Sequence, residues 1–206
     1  MTLNNIAKNI SYLLKGHNVI SPIPEGNPGF LERLGYVMAN GPAMEGIGTM
    51  SPEYRKIMDK LFAKSERIDK TKRGMTGFFK NYGSPFTQED INNFAVEADK
   101  YPITQKYPYL LPAVSIKETS AGKNITYPNN PLNWGIYEPT FQPKSNLETI
   151  AKATSGIAQR FPQYQKFRDS GDLMDFGSTY APASDDNDPN YGIKLSELFK
   201  QFQQYE

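Results

Sequence analysis

The sequence predicts a mostly α-helical protein, and three observations carry that prediction. Apolar residues recur at helical spacing in several stretches, as Tyr54, Ile57, Met58, Leu61 and Phe62 do. Two capping boxes, Thr87-x-x-Asp90 and Ser145-x-x-Glu148, mark helix starts. Two further starts pair a cap with a proline at the first helical position, Ser51-Pro52 and Asp188-Pro189.

In chain order, Asn4–Leu14 places Ile6, Ile10, Leu13 and Leu14 on one helical face. Ser21–Gly29 and Ala39–Met50 read as loops from their proline and glycine content. A helix starting at Ser51-Pro52 carries the Tyr54–Phe62 stripe. The charged run Lys64–Arg73 reads as a solvated linker, with a boundary near Gly74–Gly83. Thr87–Lys100 is a helix with Ile91, Phe94, Ala95 and Ala98 inward, ended by Tyr101-Pro102. A helix over Tyr109–Thr119 follows, then an Asn-rich turn leading to Trp134, the only tryptophan. Asn146–Arg160 is helical, with Leu147, Ile150, Ala151, Ile157 and Ala158 on its buried face. Tyr164 and Phe167 fall in a connecting segment, and Asp172–Ser178 is a short helix. The last helix carries Ile193, Leu195, Leu198, Phe199 and Phe202.

Composition narrows the function. The 206 residues suffice for one or two domains with a buried core. Lys+Arg (23) and Asp+Glu (22) nearly cancel, which argues against a dedicated nucleic-acid binder. There is no cysteine and hence no disulfide framework. No apolar run approaches the ~20 residues of a membrane span. Met1–Lys15 has no continuous apolar stretch of the signal-peptide kind. His17, the only histidine, has no ligand cluster around it, and Asp185, Asp186 and Asp188 lack EF-hand spacing, so no metal or cofactor is expected.

The stretch Ser115–Tyr137, SIKETSAGKNITYPNNPLNWGIY, organises the rest. Glu118 closes a helix and shares its face with Leu111 and Val114. A carboxylate there loses hydration, so its pKa rises and its proton is held toward neutral pH. A general acid for glycoside cleavage needs that property. The plain alternative is a glutamate at a helix end that reaches water.

KYPYLLPAVSIKETSAGKN followed by NNPLNWGIY resembles the catalytic signature of lysozyme-like peptidoglycan hydrolases, a helix ending in E-S-x-x-G-K and then an N-x-W-G-I turn. YAPASDDNDPNYGIKL, at Tyr180–Leu195, resembles the Y-A-T-D-P-N-Y-A-x-K-L motif of the glucosaminidase (flagellar-muramidase-like) branch, with residues inserted after Pro182. The two matches occur in the family's order, and the resemblance covers roughly Gly83–Phe202. It implies a mostly α, lysozyme-like domain over 76–206 with a small hairpin or turn at its cleft. An N-terminal helical accessory or docking segment over 1–75 would precede it.

The resemblance further implies cleavage of peptidoglycan glycan strands. Glu118 would be the acid, with Tyr180 beside it helping the transition state. Ser120 and Gly122 would let substrate approach the helix end; Asn130, Asn133, Trp134, Phe141 and Tyr191 would complete the sugar cleft. Thr119, where the family often has serine, is a mild departure. A second carboxylate is not evident; Glu138, Glu148 and Asp186 are weak candidates, and the Ser145 capping box gives Glu148 a structural task. Hydrolysis and lytic transglycosylation both stay open. A cell-wall enzyme without a signal peptide would leave by lysis, a holin or packaging in a virus particle, with residues 1–75 meeting other virion proteins. The competing reading is a structural virion protein with an inactive lysozyme-like domain.

Overall fold

In the computed structural model, residues 52–126, 128–134, 142–181 and 189–206 are described. They are mostly α-helical, as the sequence predicts, and contain no strand. The expected helix at Asn4–Leu14, the early loops, His17, Phe141, Glu138 and the acidic residues Asp185, Asp186 and Asp188 lie outside them.

Eight α-helices are formed among the described residues: α1 (Pro52–Tyr82), α2 (Gln88–Ala98), α3 (Pro102–Lys106), α4 (Leu110–Thr119), α5 (Asn146–Ser155), α6 (Gln165–Ser170), α7 (Leu173–Tyr180) and α8 (Tyr191–Gln203). The chain divides into two compact units between Ser65 and Glu66, ahead of the boundary near Gly74–Gly83 expected from sequence. The second unit, Glu66–Glu206, contains the site residues.

Lys64–Arg73 is not a linker. It lies inside α1, because one stripe of the basic run is apolar or small and packs inward: Thr71, Gly74 and Met75 are buried, with Phe78 and Phe79 a turn further on. The charges occupy the remaining faces. Arg67 donates to Asp99 at 2.9 Å at the end of α2.

α4 is the central element. Leu110, Leu111, Pro112, Ala113, Val114 and Ser115 are all buried, so it is apolar around its circumference rather than amphipathic. Its proline lies in the first turn, where the amide would have no helical partner anyway. Its polar side chains turn back on the helix: Ser115 Oγ donates to Pro112 O at 2.7 Å and Thr119 Oγ1 to Ser115 O at 2.8 Å. Tyr109 stacks on Phe202 of α8 with ring centroids 4.9 Å apart, and its hydroxyl donates to Glu206 at 2.7 Å.

Of the two expected capping boxes, the one at Thr87 is complete and the one at Ser145 is half formed, its glutamate reaching the amide before the N-cap. Thr87 and Asp90 bond reciprocally at the start of α2. Ser145 Oγ accepts from Glu148 N at 3.2 Å, while Glu148 Oε2 accepts from Lys144 N at 2.8 Å, which gives Glu148 its structural task. The expected Asn146–Arg160 helix changes character midway. After Ser155 it widens into a π-helical turn, Gly156–Arg160, closed by Phe161 N donating to Gly156 O at 2.9 Å. Leu147 is 42 % exposed and Ile193 47 % exposed, so neither joins the core that helical spacing assigned them. Both sit in the first turn of their helices. α8 begins at Tyr191, with Asn190 as an N-cap that makes no side-chain bond.

α7 and α8 pack with their backbones in near contact. A Cβ on Gly192 would stand 2.5 Å from Leu173 O and 2.9 Å from Met174 Cα; one on Gly177 would stand 2.7 Å from Gly192 N. Every obstructing atom is backbone. Gly192→Ala and Gly177→Ala should therefore each cost about 2–3 kcal/mol of stability, the upper range for overpacking. Gly77→Ala is the contrasting case. Its added methyl meets only the side chain of Tyr205, Cβ included at 2.6 Å; that residue is 38 % exposed and would shift at the expense of its contacts with Asn81 and Phe78, while alanine suits the interior of α1. Urea unfolding of the three variants should rank Gly77→Ala above the other two, because a side chain yields where backbone cannot; equal stabilities would contradict the close crossing.

Candidate functional site

The site is built from the end of α4, the turn after it, and the α7–α8 crossing. Glu118 lies in the last turn of α4, partly buried, while Thr119 beside it is fully buried. Three successive left-handed residues follow: Ser120 (φ 51°), Ala121 (φ 56°) and Gly122 (φ 84°). The first two are not glycine, and each such residue costs about 1–2 kcal/mol. The surroundings hold them in place. Ala121 N donates to Ser115 O at 2.9 Å, and Ala121 O accepts from Ser84 Oγ at 2.7 Å. Gly122 N donates to Thr119 Oγ1 at 2.9 Å, and that hydroxyl also lies 2.8 Å from Pro131 O. Thr119 therefore ties the helix end to both arms of the turn, a role its place beside the motif glutamate does not announce. Strain concentrated beside one carboxyl is the kind of feature that marks functional sites.

Several predicted substrate contacts prove to be parts of this framework. Gly122 does not open a path for substrate: a Cβ there would meet Phe86 Cε1 at 2.6 Å, so the Phe86 ring fills the space. Asn130 is buried and clamps the tryptophan, donating to Trp134 O at 2.9 Å and accepting from Trp134 N at 2.8 Å. Trp134 is buried as well, near parallel to Phe161 (6.0 Å) and Tyr164 (6.3 Å) and tilted against Tyr180 (5.9 Å). It supports the site from within and offers no free face of the kind a pyranose stacks on. Asn133, left-handed at φ 46°, donates to the backbone carbonyl of Glu118 at 3.0 Å and so caps the end of α4. Ser120 and Asn133 are half-buried, and Ser120 accepts from Asn124 at 3.4 Å.

The side-chain partner of Glu118 is Tyr191. Its hydroxyl donates to Glu118 Oε1 at 2.8 Å across 73 residues of sequence. Tyr180 stacks on Tyr191 with ring centroids 5.6 Å apart and donates to Leu132 O at 3.1 Å. Glycine spacing explains the pair: Tyr191 precedes Gly192, and Tyr180 lies one turn beyond Gly177. The backbone crossing thus brings both rings to the carboxyl. Lys117 Nζ sits 5.7 Å from the Tyr191 ring centroid.

Burial pushes the Glu118 carboxyl above its ordinary pKa; the Tyr191 hydrogen bond and the charge of Lys117 pull the other way without reversing the shift. Both tyrosines are held well above the ordinary phenol range, chiefly by burial and also by the nearby Glu118 charge. They remain neutral hydrogen-bond donors wherever Glu118 titrates.

Away from this site, a cavity of about 400 Å³ lies between α3, the π turn and α6, lined by Tyr101, Lys106, Gln159, Arg168 and Asp169 among others. None of the predicted site residues lines it. Among the described residues no helix is long and apolar enough to cross a membrane, and no group of histidine, cysteine, aspartate and glutamate could hold a metal ion.

The raised pKa fixes the sign of a stability prediction. A folded pKa above the unfolded value, about 4.3, means that stability present at acid pH is lost as pH rises through the folded pKa. Glu118→Gln removes that titration. The variant should match the wild type in urea near pH 4 and exceed it increasingly toward pH 8. A constant difference between the two pH values would show that the folded protein does not hold the carboxyl's proton.

Compared with protein-family models, curated proteins and solved structures, the chain matches none.

Proposed function

We propose that this chain cleaves peptidoglycan glycan strands, with Glu118 as the acid that protonates the leaving glycosidic oxygen. One observation carries the proposal. The hydrogen bond from Tyr191 to Glu118 joins the two stretches that separately resemble the two motifs of lysozyme-like hydrolases. Nothing in local sequence requires those stretches to meet.

The chemistry fits what glycoside cleavage asks for. As the bond between the anomeric carbon and the leaving oxygen breaks, its electron pair stays on oxygen, which needs a proton. A half-buried carboxyl with a raised pKa keeps such a proton to higher pH than an exposed glutamate does. The carboxylate left behind then takes a proton from the nucleophile that captures the sugar cation. That nucleophile is water in a hydrolase, or the substrate's own hydroxyl in a lytic transglycosylase. Tyr180, whose ring stacks on Tyr191, supports the acid through that stack. Ser120 and Asn133, half-buried at the helix end, remain the described candidates for contact with substrate, whereas Gly122, Asn130 and Trp134 act through the framework.

Glu118→Gln keeps the shape and removes the proton. It should lower the clearing of purified cell walls by roughly 10²- to 10⁴-fold, the usual worth of a general acid. Mass spectrometry of the wild-type products would identify the reaction: a 1,6-anhydro end for transglycosylation, a reducing glucosamine or muramic end for hydrolysis. Equal clearing by variant and wild type would refute the proposal.

A further inference from the structure

A carboxylic acid has two unlike oxygens, and the surroundings of Glu118 distinguish them. Oε1 accepts the Tyr191 hydroxyl at 2.8 Å. Oε2 has no hydrogen-bond partner among the described residues, and the side chain is partly exposed. A phenol carries a single proton. If the acid instead donated from Oε1 to the phenol oxygen, that phenol proton would need another acceptor in a buried place. The observed direction, from the Tyr191 hydroxyl to Oε1, needs none, and the neighbouring Tyr180 gives its own proton to Leu132 O at 3.1 Å.

We infer that Tyr191 is a positioning residue that assigns the labile proton of Glu118 to Oε2. By donating to Oε1 it makes that oxygen the carbonyl-type oxygen of the neutral acid. Oε2 then carries the proton and delivers it: the Oε2–H bond breaks, its electron pair stays on the carboxylate, and the proton goes to the leaving oxygen. The inference rests on the proposed function and deepens it, because it says which oxygen acts and what orients it. The same bond tightens once the carboxylate is charged, so it also holds the group for its return as a base.

Among the described residues, three groups face the Glu118 carboxyl. They are Tyr191 from α8, Tyr180 from α7, and Lys117 from α4 itself. Lys117 and the Tyr191 bond favour the ionised form; burial opposes them and prevails. Removing the Tyr191 hydroxyl subtracts one of the two groups that favour charge, so the Glu118 titration must move to higher pH. A residue that only filled space would not move it.

The test uses the full chain with ¹³C-carboxyl-labelled glutamate, the Glu118 signal being the one missing from Glu118→Gln. In Tyr191→Phe the titration midpoint should rise. The basic limb of wall clearing should rise with it, and turnover should fall roughly 10- to 100-fold through lost orientation. Tyr180→Phe, which keeps the Tyr191 bond, should leave the midpoint in place. A wild-type chain made with 3-fluorotyrosine, a more acidic phenol and a stronger donor, should shift it downward, which keeps the test decisive if Tyr191→Phe does not fold. A midpoint that stays put in both Tyr191→Phe and the fluorinated chain, or that moves equally in Tyr180→Phe, overturns the inference. Those titrations need no activity, so a failure here is distinct from a failure of the proposed function, which the clearing assay on Glu118→Gln decides.

Discussion

The α7–α8 crossing sets the geometry on which the proposed site depends. Two glycines let two backbones approach within a distance that a single methyl group would forbid. The approach places Tyr180 and Tyr191 ring against ring and puts the second hydroxyl on Glu118. Van der Waals exclusion at two α-carbons therefore acts, one residue and one turn away, on the protonation of a carboxyl. Such a coupling is stiff, because no side-chain rotamer can absorb a change at either glycine.

The end of α4 supplies the second constraint. The helix is buried through Leu110–Ser115 and again at Thr119, so most of its terminal carbonyls find partners within the protein. Asn133 takes the carbonyl of Glu118, Ala121 N takes that of Ser115, and Asn124 N takes that of Thr119 at 2.8 Å. These bonds hold the left-handed run Ser120–Gly122 that brings the chain back toward Leu132 and Trp134. The acid sits at the one part of α4 where the interior gives way to a partly open environment. Its raised pKa follows from that half-sheltered position.

Much of this was legible in the sequence, for identifiable reasons. Capping signals and helical spacing are local, so α2, α4 and α7 fell close to their expected bounds and α5 began where expected. Glu118 stood out because Leu111 and Val114 share its face, and both are buried. Tyr191 was legible as a site residue but not as the partner of Glu118, since a contact across 73 residues leaves no local trace. Trp134 and Asn130 pointed to a wet cleft because tryptophan and asparagine suit sugars; the Asn130 side chain instead satisfies both backbone polar groups of Trp134 and lets the ring be buried. The run Lys64–Arg73 looked like a linker because charge density hid the small and apolar stripe that α1 turns inward.

The π turn at Gly156–Arg160 alters the course of the chain. Its hydrogen bonds span one residue more than those of an α-helix, so the coil is wider where it ends and Phe161, in extended conformation, leaves it in a different direction from a regular helix end. That exit directs Phe161 back over Gly156, where only a hydrogen leaves room, and onto the flat of Trp134. Arg168 stitches the widened coil by donating to Ile157 O at 3.0 Å and Phe161 O at 2.9 Å. A chain one residue shorter here would close an α-helical turn instead and bring a different side chain to the tryptophan, so the widened coil and Phe161 form one unit.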